Sequence, residues 1–350
     1  MRLMFVNWAF ENHGSAQDLY NYARVAQVLG HEVALYGPQR AGSAFNYSLD
    51  VGAADAVVFI FEFTTHLEYG EKFGLLRVVG RVPRRRRVVI DCDGGYNDAI
   101  CVLGDINHPD AAASKHWMEV CGSLSDKIFQ PTFHPLLPNV RPFFFHAYSP
   151  AWERPMDFGA KEYGMVYVGN NWFRWRPMRR VLDAIEPVRD QVGRAAVIGQ
   201  GWDSPVPWGG PVLSEDAYFT DPGYLRGQNV EVIPPVRFDK VIDAMCKAMF
   251  SPVIYRPLFD HLQLVTCRTF ETPAANTIPL FCQDAAYVGE IYGEDALELV
   301  LPDEDPQEKI LDMILRPEHY AKIVFRIRRR LAEKYSYTVQ LQQLVEIVRS

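Results

Sequence analysis

Apolar positions follow two different rhythms along the first forty residues. The run Arg2–Val6 is short and unbroken, stops at Asn7, and gives way to a polar loop, Asn7–Ser15, that holds His13 and Gly14. Leu19, Tyr22, Ala23, Ala26 and Leu29 then recur three and four residues apart, the spacing of one helix face, and Gly30 stops the helix. Glu32–Tyr36 returns to the short apolar type and closes at Gly37-Pro38. Strand, glycine-containing loop, helix and strand in that order make a βαβ unit, which requires a parallel sheet. Ala56–Phe61 and Arg87–Ile90 read as further buried strands of it.

The same opening recurs in the second half. Pro138, Pro142, Pro150 and Pro155 break up the chain between the halves, as a linker or irregular crossover does. Met165–Val168 is then a strand ending in Gly169-Asn170-Asn171, a helix follows over Met178–Val192, and Ala195–Ile198 is a strand ending in Gly199-Gln200-Gly201-Trp202. Two apolar stripes mark a helical tail, one through Tyr320, Ile323, Val324, Ile327 and Leu331, the other through Leu341, Leu344, Val345 and Val348. They predict two packing helices with a break near Tyr335–Tyr337, and Arg326, Arg328, Arg329 and Arg330 on the solvated side. The expected class is α/β, with Rossmann-like domains over 1–155 and 156–330 and a helical tail over 331–350.

Composition narrows the field of functions. A chain of 350 residues exceeds the usual single domain, and 48% hydrophobic with 23% charged residues is the balance of a globular protein. A net charge of −7 argues against general nucleic-acid binding, while leaving room for local basic patches that meet a phosphorylated ligand. The six cysteines form no Cys-x-x-Cys pair, which speaks against structural zinc and for reduced thiols in a cytoplasmic protein. The opening apolar run is too short for a signal-peptide core, and no stretch approaches the ~20 apolar residues of a membrane span. Walker A, Gly-x-Ser-x-Gly and His-Glu-x-x-His patterns are all missing from the sequence.

In doubly wound folds ligands bind beyond the carboxyl ends of the strands, where loops meet helix N-termini. The loops 7–15, 169–175 and 199–202 occupy that position, and Ile233–Phe238 follows a strand where such folds cradle a nucleobase. Asp91-Cys92-Asp93-Gly94-Gly95 also follows a strand. Its two carboxylates either bind Mn²⁺ or Mg²⁺, or shape the acceptor side, where Asp93 is the candidate base. His13 is either a second acceptor contact or an exposed loop histidine. Arg84–Arg87 is either a solvated turn or a seat for an anionic acceptor such as a lipid phosphate. Arg256 either neutralises a diphosphate or lies on a surface loop.

The segment Thr266–Pro279 is more specific. Its Arg268-Thr269-Phe270-Glu271-Thr272-Pro273-Ala274 resembles the Arg-x-Phe-Glu-x-Pro-Ala pattern of CgeB-like glycosyltransferases, relatives of the group-1 glycosyltransferases of the GT-B fold. The resemblance runs over Tyr163–Val348, through Tyr167-Val168-Gly169-Asn170, Gly199-Gln200-Gly201-Trp202 and Tyr335-Ser336-Tyr337. It implies two Rossmann-like halves facing a central cleft and transfer of a sugar from a nucleotide-sugar donor. The acceptor would be a glycan, lipid or small molecule, with no cofactor beyond that co-substrate and no metal. It also implies that Glu271 grips the donor ribose, the alternative being a helix-start carboxylate stabilised by the dipole. Arg268 either meets the diphosphate or pairs with a neighbouring acid. The donor-binding set is thus Gly169, Asn170, Gly199, Gly201, Arg256, Arg268, Thr269 and Glu271, with His13 and Asp93 as catalytic candidates. Two positions depart from the broader pattern: Gln263, eight residues before Glu271, stands where a second glutamate is common, and Asn276 replaces a glycine. A non-catalytic nucleotide-sugar binder and a sugar-nucleotide epimerase are the alternatives on the same fold.

Overall fold

The computed structural model describes residues 1–7, 14–39, 42–62, 80–97, 109–159, 161–204 and 219–350. His13 and Cys101, and most of the loop 7–15, lie outside them. The chain divides into two units: Met1–Ala147 with His261–Cys267 and Tyr335–Ser350, and Tyr148–Asp260 with Arg268–Lys334.

The first unit is built on seven parallel strands: β1 Arg2–Val6, β2 Glu32–Tyr36, β3 Tyr47–Ser48, β4 Ala56–Phe61, β5 Arg87–Asp91, β6 Ile128–Gln130 and β7 Val140–Pro142. Their order is β3-β2-β1-β4-β5-β6-β7, with Leu3 opposite both Val33 and Ala56. β4, Ala-Val-Val-Phe-Ile-Phe, is buried at every position, as a parallel strand covered on both faces must be. Alternate residues of β1 serve the two covering layers. Phe5 stacks on Tyr22 of the helix Gly14–Val28 at 5.8 Å, while Met4 joins the cluster around Trp117 of the helix Pro109–Leu124. The helix Tyr337–Arg349 belongs to this unit, where the Tyr337 hydroxyl donates to Asp18 at 2.6 Å and Lys127 donates to the Ile347 carbonyl at 3.0 Å.

The second unit holds β8 Tyr163–Val168, β9 Ala195–Ile198, β10 Val230–Ile233, β11 Ala248–Val253 and β12 Ile278–Phe281, all parallel, in the order β10-β9-β8-β11-β12. In each sheet the winding direction reverses beside the first strand, at β1/β4 and at β8/β11. Those are the points where two loops diverge and leave a crevice.

Two arginine assignments differ from the sequence expectation. Arg328 is not solvated: it is 3% exposed on the helix Pro317–Tyr335. It follows Val324 by four residues and precedes Leu331 by three, so helical geometry puts it on the flank of the apolar stripe. There it donates to the carbonyls of Pro273, Ala274, Ala275 and Arg154. Arg330 is half-buried against the carbonyls of Ile291 and Glu290, whereas Arg326 and Arg329 are exposed as expected. The Arg84–Arg87 run stands at the amino end of β5, on the sheet edge opposite Asp91. Arg84 pairs with Asp126 at 2.8 Å and, with Arg87, binds carbonyls in the last turn of the helix Pro109–Leu124. Cations at a helix carboxyl terminus are favourable, so these two arginines are spent on structure, away from the ligand edge.

Candidate active site

At the carboxyl edge of the second sheet, the loops after β8 and β9 are zipped together. The Asn170 side chain accepts from the Gln200 N–H at 2.9 Å, Asn171 donates to the Gly201 carbonyl at 2.9 Å, and the Trp202 indole donates to the Gly169 carbonyl at 2.9 Å. A Cβ at Gly199 would sit 2.3 Å from the Gly169 carbonyl oxygen, so the two loops approach this closely only because position 199 carries no side chain. Gly169, Asn170, Gly199 and Gly201 are therefore neighbours, with Asn170 employed in joining the loops. Arg256 follows β11 on the same edge, buried, with its guanidinium 4.0 Å from the Phe259 ring centre.

The eight-residue helix Cys267–Ala274 carries the other predicted residues. Arg268 Nη1 lies 2.9 Å from Glu271 Oε2, with Arg268 16% exposed and Glu271 only 1%. Glu271 is thus an interior carboxylate one turn along the helix, behind Arg268, and not a helix-start cap. Pro273 sits inside this helix and has no N–H, which leaves the Thr269 carbonyl without its ladder partner. The Tyr292 hydroxyl fills that place at 3.0 Å, and the Thr269 hydroxyl is engaged by Tyr255. With 0% exposure and both groups engaged, Thr269 braces the helix instead of facing a ligand. Asn276, in the place of a glycine, uses its side chain: it accepts from the Asp157 N–H at 2.8 Å and donates to the Asp157 carbonyl at 3.0 Å.

In the first unit the loop after β5 is organised by Asp91. Its buried carboxylate accepts from the N–H groups of Gly95 at 3.0 Å and Tyr96 at 2.7 Å, and from the Gln130 amide at 2.8 Å. Burial pushes its pKa up to about 6 despite those three donors. A side chain at Gly94 (φ +71°) would be strained and would meet Leu262 at 2.5 Å, because residues 261–267 pack against this loop. Asp91 is therefore a loop-former rather than half of a metal pair, and Asp93 is the half-buried member.

Sequence reasoning missed a cluster at the β1/β4 reversal. Glu62 follows β4, and burial raises its pKa against the pull of nearby His146 and Ser15. His146 Nδ1 lies 2.8 Å from Asp18 Oδ2, and Tyr337 donates to the other oxygen of Asp18. The Asn7 amide, buried at the end of β1, has no hydrogen-bond partner among the described residues. The one available signal was Asp18 beside Leu19, a charge on the inward face of the first helix. Its partners lie 128 and 319 residues away.

Residues 176–346 match the family described as glycosyl transferase-like. The solved structures similar to this chain include an alpha-glucosyltransferase in complex with UDP and a 13-mer DNA, at 13% identity and a TM-score of 0.68, covering 100% of this chain and 99% of that one. The DNA-modifying beta-glucosyltransferase matches at 12% identity and a TM-score of 0.57, with 100% of both chains covered. Just under half of the chain thus matches a glycosyltransferase family, and its fold is shared with GT-B-like glucosyltransferases. By sequence, no curated protein matches it. The narrower CgeB-like likeness rests on its motifs alone.

The absence of nucleic-acid partners expected from this chain's net charge is corrected. DNA is present in the alpha-glucosyltransferase complexes that share its fold, so an overall charge of −7 does not exclude a nucleic-acid acceptor. A total charge averages over the whole surface, whereas an acceptor meets one patch of it. T4 phage beta-glucosyltransferase, 12% identical with a TM-score of 0.59 over 100% of both chains, is similar to it in a complex with UDP and Mn²⁺. Among the described residues of this chain, no group of three or more His, Cys, Asp or Glu is placed to hold a metal, and Asp91 has its oxygens committed. The described cysteines form no disulfide with one another, and no helix among the described residues is long and apolar enough to cross a membrane.

Proposed function

We propose that the second unit holds the nucleotide sugar at the β8/β11 edge and that the first unit handles the acceptor hydroxyl at the β1/β4 edge. What supports this reading is the joining of the glycine loops after β8 and β9, Arg256 after β11, and the Arg268–Glu271 pair on the helix that follows, with most of this unit inside the family match. Glycine loops let backbone N–H groups approach a phosphate closely. As the bond from the anomeric carbon to the diphosphate oxygen breaks, its electron pair leaves with the nucleoside diphosphate. Arg256 and Arg268 take up that charge, and preorganised cations of this kind are a large part of transferase catalysis. Glu271 holds Arg268 in place and, as the resemblance implies, accepts from the ribose.

On the acceptor side, the acceptor oxygen forms the new bond to the anomeric carbon and loses its proton. Glu62 is the group assigned to receive it, with Ser15 and His146 close by. Its raised pKa brings it nearer to neutrality, where a base accepts a proton most usefully. Glu62→Gln is expected to lower turnover by about 100-fold or more with nucleotide affinity unchanged. Equal turnover in that variant would remove Glu62 from the role and return it to Asp93 or His13.

The test of the function is a panel of UDP-, GDP-, ADP- and dTDP-sugars screened by thermal shift, followed by acceptor-dependent release of nucleoside diphosphate. Binding without release would indicate a non-catalytic binder, and conversion of the donor alone would indicate an epimerase. Turnover is expected to survive EDTA, and loss in EDTA restored by Mn²⁺ would overturn the metal-free reading. A nucleic-acid acceptor is the second reading, favoured by the DNA in the complexes that share the fold. In that case duplex DNA stimulates release, with a steep dependence on salt.

A further inference from the structure

We infer that Tyr292 and Arg328 are positioning residues of the donor site. They hold the helix Cys267–Ala274, and with it Arg268 and Glu271, by replacing backbone hydrogen bonds that this helix cannot make for itself. The inference rests on the proposed donor site at that helix.

A helix of eight residues is short of internal support. Its first four N–H groups and last four carbonyls have no partner within it, and helices this short are not stable alone. Pro273 removes one more bond, because the Thr269 carbonyl would have accepted from the N–H that proline lacks. Side chains from two later helices make up the deficit. The Tyr292 hydroxyl, from the helix Ala285–Tyr292, donates to the Thr269 carbonyl at 3.0 Å. At the other end the Arg328 guanidinium donates through Nε to Pro273 at 2.7 Å and through Nη2 to Ala275 at 2.8 Å and Ala274 at 3.2 Å. Its Nη1 donates to the Arg154 carbonyl at 2.8 Å, and the Arg154 N–H returns to the Ala274 carbonyl at 2.9 Å. The segment entering the second unit is therefore fastened to the same helix end.

The choice of arginine is informative. Among the described residues no carboxylate lies within ion-pair distance of Arg328, although the side chain is buried. A buried cation with no carboxylate in direct contact is costly, and an apolar residue would stabilise a simple core better. A planar fork with five N–H groups reaches several carbonyls in fixed directions, which a lysine ammonium does not do. A positive charge at a helix carboxyl end also suits its dipole. Tyr292 and Arg328 thus fix the helix at the Thr269 carbonyl and at its carboxyl end, and Arg268 and Glu271 are borne along the same short helix.

The test uses Tyr292→Phe, which removes a single hydroxyl, together with Arg328→Lys and Glu271→Gln. The probe is whichever of UDP, GDP, ADP and dTDP most raises the melting temperature of the unaltered protein. Its affinity is measured by calorimetry beside the melt of each variant. Tyr292→Phe and Arg328→Lys are each expected to weaken binding of that nucleotide about five- to tenfold, in line with about 1–1.4 kcal/mol. Tyr292→Phe combined with Glu271→Gln is expected to weaken binding by clearly less than the product of the two single losses, because both act through one helix. Lower melting temperatures with unchanged affinity would overturn the inference, as would fully additive losses. If Glu271→Gln itself leaves affinity unchanged, the donor-site reading fails; if only the Tyr292 and Arg328 variants do so, the positioning role alone fails.

Discussion

Glu271→Gln is expected to weaken binding of the nucleotide sugar by about 10- to 100-fold. Charge-assisted hydrogen bonds are worth roughly 1.5–3 kcal/mol each, and ~1.4 kcal/mol corresponds to a factor of ten. The same change is expected to lower the melting temperature, because Glu271 is an interior partner of Arg268 at 2.9 Å. Removing one member of a buried pair costs about 3–5 kcal/mol when a charge is left stranded. Glutamine keeps the volume and some hydrogen bonding, so it is the gentler probe, and Arg268→Ala is the harsher one. Calorimetry on the folded variant, beside its melt, separates the two effects. Unchanged affinity with a lower melt would make the pair purely structural.

The second large effect is expected at Asp91 and depends on pH. Its folded-state pKa of about 6 lies above the ordinary 3.8, because burial penalises the ionised form more than its hydrogen-bond donors favour it. The protonated form is therefore the one the fold prefers. The contribution is fully present below about pH 4 and is lost as pH rises through 6, amounting to about 3 kcal/mol. Urea unfolding of the unaltered protein and of Asp91→Asn at pH 4, 5, 6 and 7 checks this. Relative to Asp91→Asn, the unaltered protein is expected to lose stability across that range. A difference that stays constant with pH would show that the loop stabilises the carboxylate as well as water does.

The strands were legible because parallel strands covered on both faces are unbroken apolar runs. Arg2–Val6, Glu32–Tyr36, Ala56–Phe61 and Ala195–Ile198 have the bounds their sequences predict. Strands as short as Tyr47–Ser48 and Ile128–Gln130 carry no such run and were not legible. The helix-start alternative for Glu271 does not hold, because Glu271 lies one turn into the helix Cys267–Ala274, whose bond lost at Pro273 is replaced by Tyr292. Arg328 was misread because charge was weighed above helical position. The Asp18–His146–Tyr337 group joins residues from opposite ends of the chain, and no local pattern announces such a meeting.

The division of the chain has a consequence for its synthesis. Residues 261–267 and 335–350 complete the first unit, although the whole of the second unit lies before or between them. While the chain emerges from the ribosome, the sheet begun at Arg2 must wait without Leu262 and Leu264 against Gly94, and without Tyr337 on Asp18, until nearly all of the second unit has been made. No single cut separates the two units, and a fragment ending at Ala147 would expose the surfaces those segments cover. Maturation is thus coupled across the whole polypeptide, and a ribosome that stalls midway leaves neither half finished.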